Sequence, residues 1–207
     1  MNKTCFAILA LCWLSLSAQA QTLYDELNDA LLIAEKTNRA IERGKITVEQ
    51  VLYEAFEDDP DYGFTGHTTV SLWQTLDGFV RMTTLHEWPN RLPEVKNLYL
   101  DAQFHPIVLI DESNHDFKKC VVFEGDEPAI YAEADWLSDH YGDYTIYRIT
   151  PKEYRYATRI LSEYEHVLED WAHNVQSAHN KRRVGEYAAP AGTPLIRSLD
   201  QALIKWK

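Results

Sequence analysis

Cysteine is scarce in this chain, and its placement excludes an internal disulfide. Cys5 and Cys12 lie in the N-terminal segment that we expect to be removed, which leaves Cys120 in the strand-like run Phe117–Phe123. A single thiol cannot form an internal disulfide. We therefore expect Cys120 to be buried and inert.

The motifs of several large enzyme classes are also missing. The chain has no Gly-x-Ser-x-Gly nucleophile elbow, no phosphate-binding loop and no Gly-x-Gly-x-x-Gly dinucleotide fingerprint. Their absence counts against the hydrolases, kinases and dehydrogenases that depend on them. No cofactor is therefore expected from the motifs.

Long apolar runs are absent after residue 20, so we expect no transmembrane segment in the mature chain. The apolar run Cys5–Leu16 follows Lys3 and precedes Ala18-Gln19-Ala20. A basic start, a short apolar stretch and an Ala-x-Ala site are typical of a secretory signal peptide. The sequence thus predicts that residues 1–20 are removed and that a mature chain starting at Gln21 is periplasmic.

Basic residues are few outside the C-terminal end. The formal net charge is −12, and removal of Lys3 with the signal leaves −13. Residues 181–207 hold six basic and two acidic residues, so residues 21–180 carry −17. A body this acidic repels nucleic acid and anionic lipid, and we expect no nucleic-acid partner. It suits a basic protein partner, although net negative charge also simply favours solubility.

Apolar residues recur at helical spacing near both ends of the chain. Residues 22–43 form one predicted helix, and the capping box Thr47–Gln50 predicts a second N-terminal helix. Leu92–Ala102 predicts a short helix. The cap, proline and glutamate of Thr150–Glu153 predict a long helix over residues 151–179.

The apolar period changes to two in the middle of the chain, which predicts strands. An Asp-Gly turn joins the first two of them into a hairpin. The predicted strands are His67–Thr75, Phe79–Leu85, Pro106–Asp111, Phe117–Phe123, 129–134 and 144–149. Strands enclosed between helices indicate an α+β fold with an antiparallel sheet of about four to six strands.

The composition changes after residue 180, which predicts a boundary. We expect residues 21–180 to form one α+β domain and the basic, Gly- and Pro-containing residues 181–193 to form a linker. Residues 194–207 predict an amphipathic helix whose apolar face includes Leu195, Leu199, Leu203 and Trp206. Such a face either packs on its own domain or binds in the groove of a partner.

Two clusters of polar residues are candidate sites. His166, Asp170 and His173 fall on one face of the long predicted helix, with spacings that could bring them to one zinc or copper ion. The alternative is a solvated helix face. In a predicted turn, Asp111, Glu112 and His115 could perform acid–base chemistry, or they could simply be exposed to water.

These observations leave three hypotheses about function. The first is an exported protein-binding protein of the bacterial envelope: an inhibitor, a toxin immunity factor or an accessory subunit. The second is a periplasmic hydrolase that acts on glycan or peptidoglycan through its carboxylates. The third is a metal-binding protein. The acidic body, the aromatic content and the missing motifs favour the first.

Overall fold

The computed structural model describes residues 3–59, 64–89, 91–113, 117–135 and 144–184. Within them, helix α1 spans Lys3–Glu42 and helix α2 spans Pro151–Val184. Eight strands lie between the two helices. They are β1 (Ile46–Asp59), β2 (Phe64–Thr75), β3 (Val80–Glu87), β4 (Glu94–Leu100), β5 (Pro106–Asp111), β6 (Phe117–Glu124), β7 (Glu127–Asp135) and β8 (Thr145–Arg148).

The eight strands form one antiparallel sheet in the order β1 to β8, and each strand pairs with its neighbours along the chain. The predicted hairpin of β2 and β3 is confirmed, and β5 and β6 form a second hairpin. At the first of them, Thr75 N donates to Phe79 O at 2.9 Å and Gly78 N donates to Thr75 O at 3.0 Å. Gly78 has a φ of 90°, which a residue with a Cβ rarely adopts.

Helix α2 covers one face of the sheet and crosses the strands. The Tyr154 hydroxyl donates to Glu127 in β7, whereas the Tyr164 hydroxyl lies 3.1 Å from Thr84 Oγ1 in β3. The helix rises about 15 Å between Tyr154 and Tyr164. Strands that are three or four positions apart in a sheet are separated by roughly 14–19 Å, so a helix that runs across the strands can reach both β7 and β3. The residues that α2 buries against the sheet are Ala157, Ile160, Leu161, Tyr164 and Leu168.

Helix α1 covers the opposite face. Leu27, Ala30, Leu31 and Ala34 pack against buried residues of β4 to β7, which include Tyr99, Val108, Cys120, Val122, Ile130 and Ala132. Further along α1, Asn38 Oδ1 accepts hydrogen bonds from Arg81 Nη1 at 2.9 Å and from the Tyr99 hydroxyl at 3.0 Å. The middle of the sheet is therefore buried on both faces, in a three-layer arrangement of helix, sheet and helix.

The prediction of a second N-terminal helix at Thr47–Gln50 is wrong, because this segment lies in β1. A β-bulge between Val51 and Tyr53 interrupts the pairing of β1 with β2. The extra residue, Leu52, shifts the alternation, so that the apolar residues mimic helical spacing. Pairing with β2 along the length of β1 outweighs the local capping signal.

The prediction of a short helix over Leu92–Ala102 is also wrong, because β4 occupies most of it. Leu98, Tyr99 and Leu100 are consecutive and all buried, since helices cover both faces of the sheet at this strand. Burial on both faces removes the period of two that identifies a half-buried strand. The two errors explain why the sheet has eight strands rather than four to six.

The long C-terminal helix is confirmed, and it extends further than predicted. It ends at Val184, so residues 181–184 of the predicted linker are helical. Residues 185–193 and the predicted amphipathic helix 194–207 lie outside the described residues. Within the part of the chain that the structure describes, no helix has an apolar stretch long enough to cross a bilayer.

Candidate functional site

Strand β1 forms one edge of the sheet. It is 14 residues long, whereas β8 at the other edge has four. No strand among the described residues pairs with the outer side of β1. Alternate backbone N–H and C=O groups of an edge strand point outwards and can pair with another chain.

The side chains of β1 are unusually exposed for their chemistry. Val51, Tyr53 and Phe56 have exposed fractions of 55%, 47% and 68%. The surrounding Glu49, Gln50 and Glu54 are exposed as well. Exposed aromatic and aliphatic groups on one element are a common feature of interaction surfaces.

The charge of β1 has one sign. Residues 46–59 contain five carboxylates, Glu49, Glu54, Glu57, Asp58 and Asp59, and no lysine or arginine. Natural edge strands are commonly protected from association by charged side chains, by proline, by short length or by bulges. Strand β1 is long and contains no proline, and its protection against self-pairing comes from its carboxylates and from the bulge at Leu52.

His67 of β2 positions two side chains of the edge strand. Its Nε2 lies 2.9 Å from Glu54 Oε1, and its ring stacks on Phe56 with 4.6 Å between the ring centroids. On the other side, His67 Nδ1 lies 3.7 Å from Glu87 Oε2 in β3. Phe56 and Glu54 are therefore held on one face of the sheet, with an aromatic ring beside a carboxylate.

Asp111, a predicted acid–base candidate, lies at the end of β5 and is buried. Its Oδ1 accepts a hydrogen bond from Ser113 N at 2.9 Å, and its Oδ2 accepts one from the Tyr156 hydroxyl of α2. Burial and the neighbouring Asp111 raise the pKa of Tyr156 above its usual range. Both carboxylate oxygens thus have protein partners, which connects β5 to α2.

Glu112 follows Asp111 directly but has a different partner. Its Oε1 lies 3.5 Å from Lys118 Nζ, and its backbone N donates to Val95 O at 2.8 Å. The third candidate, His115, lies outside the described residues. Asp111 and Glu112 thus have different partners in the structure, and a catalytic role for the three remains a prediction.

A group of polar residues around Asp111 was not anticipated from the sequence. Lys119 pairs in register with Asp111 on one side and with Glu133 on the other. Its Nζ lies 5.7 Å from the ring centroid of Tyr156. The Tyr131 hydroxyl donates to Glu133. Residues that lie opposite each other on paired strands have their side chains on the same face of the sheet. The sequence does not show which residues lie opposite each other, so it could not identify this group.

The three metal candidates, His166, Asp170 and His173, are all exposed on α2. Among the described residues, no group of three or more His, Cys, Asp or Glu side chains is placed to hold a metal ion. Leu195, Leu199, Leu203 and Trp206, the partner-binding candidates, lie outside the described residues. A role for either set remains a prediction.

Cys120 lies in β6 and is buried, as expected. Burial raises the pKa of its thiol from 9.0 to about 12. Since the thiolate is the reactive form, this thiol is poorly suited to act as a nucleophile near neutral pH.

Comparisons of the chain with protein-family models, with curated proteins and with solved structures find no match. The fold and the β1 edge are therefore the observations from which a function can be argued.

Proposed function

We propose that the mature chain is an exported protein-binding protein of the bacterial envelope: an inhibitor, a toxin immunity factor or an accessory subunit. The single observation that supports this proposal most strongly is the β1 edge. There, Val51, Tyr53 and Phe56 are exposed on a long edge strand that is rich in carboxylates.

Energetics favour a protein partner for this surface. Aromatic side chains bury a large area with little loss of conformational entropy, so they frequently dominate binding free energy. Carboxylates around them, such as Glu54, add electrostatic steering towards a positively charged partner. The acidic body of residues 21–180 extends that field beyond β1.

The proposed location follows from the N-terminal sequence. The segment from Lys3 to Ala20 has the order of features of a signal peptide, which supports export with cleavage before Gln21. A partner would then be another envelope protein or a protein that enters the envelope from outside.

The proposal is tested by affinity capture. Mature protein, Gln21–Lys207, carrying a tag, is incubated with envelope extract at increasing ionic strength. We expect one stoichiometric partner, released as salt screens the acidic surface. A second form without residues 185–207 keeps every described helix and strand, so loss of capture by this form alone would place the contact in the C-terminal segment.

Matched variants locate the contact on the body. We expect a Tyr53→Lys, Phe56→Lys double variant to lose the partner and a Leu76→Lys, Leu92→Lys variant to keep it. Leu76 and Leu92 are equally exposed, at 65% and 63%, but lie outside the strands. Failure of the unmodified protein to capture any envelope protein at any ionic strength would contradict the proposal.

A further inference from the structure

We propose that the partner binds by strand addition: an extended, lysine- or arginine-rich segment pairs with β1 and becomes a ninth strand of the sheet. This inference rests on the proposed protein-binding function and specifies its mode and the chemistry of the partner. The contact is centred on the regular part of β1, Tyr53–Asp59.

The backbone of this part of β1 has the regular extended conformation that pairing with another strand requires. From Tyr53 to Asp59, β1 pairs with β2 without a register shift, from Tyr53 opposite Val70 to Asp59 opposite Phe64. These seven regular residues lie within the usual length of a strand, about three to ten residues. The inner side of β1 is satisfied by β2, and no described strand occupies the outer side. An added strand would supply hydrogen bonds to the outward-facing backbone groups of β1.

The side chains provide specificity on both faces of an added strand. Successive residues of a strand point to opposite faces, so Glu54 and Phe56 share one face and Tyr53 lies on the other. Their pairing with Thr69, His67 and Val70 of β2 agrees with this alternation. An incoming strand would therefore place every second side chain beside the Phe56 ring and the Glu54 carboxylate.

Charge decides which kind of strand fits. Residues 53–59 contain four carboxylates, Glu54, Glu57, Asp58 and Asp59, and no positive charge. Like charges opposite each other destabilise a strand pair, whereas opposite charges stabilise it. A second copy of this chain, added through its own β1, would bring the same carboxylates together. The structure therefore favours a basic segment over self-association.

The test uses synthetic peptides and the mature chain Gln21–Lys207. The first peptide alternates lysine and valine over about ten residues, a length that covers the regular part of β1. The second carries glutamate in place of lysine. The third has the lysine–valine sequence with N-methyl groups on successive amides of its central residues, which blocks backbone pairing on both edges of the peptide but keeps the charge. Binding is measured by fluorescence anisotropy at two ionic strengths.

Strand addition predicts that the first peptide binds and that the second and third bind at least about tenfold more weakly, because one repels β1 and the other cannot extend the ladder. The Tyr53→Lys, Phe56→Lys variant should lose binding by a similar factor. The Leu76→Lys, Leu92→Lys variant should bind normally. Thermal unfolding of both variants checks that each is folded.

Four results would overturn the inference. Equal binding of the N-methylated peptide would show that charge alone is recognised. Equal binding by the Tyr53→Lys, Phe56→Lys variant would place the contact elsewhere. A dimer in analytical ultracentrifugation that this variant abolishes would identify a second copy as the occupant. If no peptide binds but envelope capture succeeds, strand addition is wrong while the protein-binding function stands.

Discussion

The Tyr164 side chain links α2 to the middle of the sheet through its hydroxyl group. The hydroxyl accepts hydrogen bonds from Thr84 N at 3.2 Å and Thr84 Oγ1 at 3.1 Å, and it donates to Lys96 O at 2.9 Å. Tyr164 is 3% exposed, so its hydroxyl makes these three hydrogen bonds inside the protein. Its burial also raises the pKa of the phenol.

We expect Tyr164→Phe to lower the free energy of unfolding by about 1–3 kcal/mol, because the N–H of Thr84 and the C=O of Lys96, both part-buried, lose a hydrogen-bond partner. Tyr154→Phe is the matched control on the same helix, since the Tyr154 hydroxyl contacts Glu127 at the surface and should contribute less than about 0.5 kcal/mol. Urea unfolding of both variants measures the difference. Equal losses would contradict the proposed link.

For single residues, the sequence predicts whether a side chain is buried or exposed better than it predicts which distant residue the side chain contacts. The burial of Cys120 follows from its apolar neighbours, and the solvated face of His166 and Asp170 follows from helical geometry. The bond from Tyr156 to Asp111 joins residues 45 positions apart, which no local pattern reveals.

Among the secondary structure elements, the β2–β3 hairpin depends on one glycine. Gly78 has a φ of 90° and also lies close to the loop that connects β4 and β5. A Cβ built on Gly78 would lie 2.9 Å from the Cβ of Ala102 in this loop. Gly125, in the β6–β7 turn, has a φ of 64° but no atom within 4 Å of a built Cβ. A substitution at Gly125 therefore tests backbone strain alone, whereas a substitution at Gly78 tests backbone strain together with a steric contact.

We expect Gly125→Ala to cost about 1 kcal/mol of stability from backbone strain alone. Gly78→Ala should cost roughly 1–3 kcal/mol more, because the contact with Ala102 forces the turn to shift. Thermal and urea unfolding of the two variants gives the comparison. A Gly78→Ala variant no less stable than Gly125→Ala would show that the turn relaxes without cost.

Element types could be predicted from the sequence where one face of the element is polar. Helix α2 and the β2–β3 hairpin show a clear apolar period, and both are confirmed. Strand β1 contains a bulge and β4 is buried on both faces, so neither shows the period of two. In both strands, long-range pairing overrides a local pattern that resembles a helix.

For the whole molecule, burial of ionisable groups couples stability to alkaline pH. Burial raises the pKa of Tyr99 from 10.0 to about 12 and that of Cys120 from 9.0 to about 12. The folded state keeps these protons after the unfolded state has lost them. The free energy of unfolding is thus unaffected by these two groups below pH 9 and falls as pH rises towards 12.

We expect the free energy of unfolding to fall by up to about 1.4 kcal/mol per pH unit for each such group. A Tyr99→Phe variant lacks one of them, so its stability should fall less steeply between pH 10 and pH 12 than that of the unmodified protein. Urea unfolding across this range measures both slopes. Identical slopes would show that Tyr99 does not retain its proton in the folded state.

The overall architecture follows only partly from the sequence. An α+β fold with an antiparallel sheet is evident from the order of helical and strand-like segments. The three-layer arrangement is not, because the crossing of α1 and α2 over opposite faces depends on contacts between distant residues. The exposed edge β1 emerges only when the strand order is known, since an edge strand and a central strand can have similar sequences.

The central claim is that a protein partner docks on the acidic edge strand β1, and a competition experiment tests it most directly. The partner is captured from envelope extract on immobilised mature protein, and the lysine–valine peptide is then added to saturation. The account predicts that this peptide releases the partner and that the glutamate–valine peptide does not. Retention of the partner against saturating basic peptide, with equal capture by the Tyr53→Lys, Phe56→Lys variant, would contradict it.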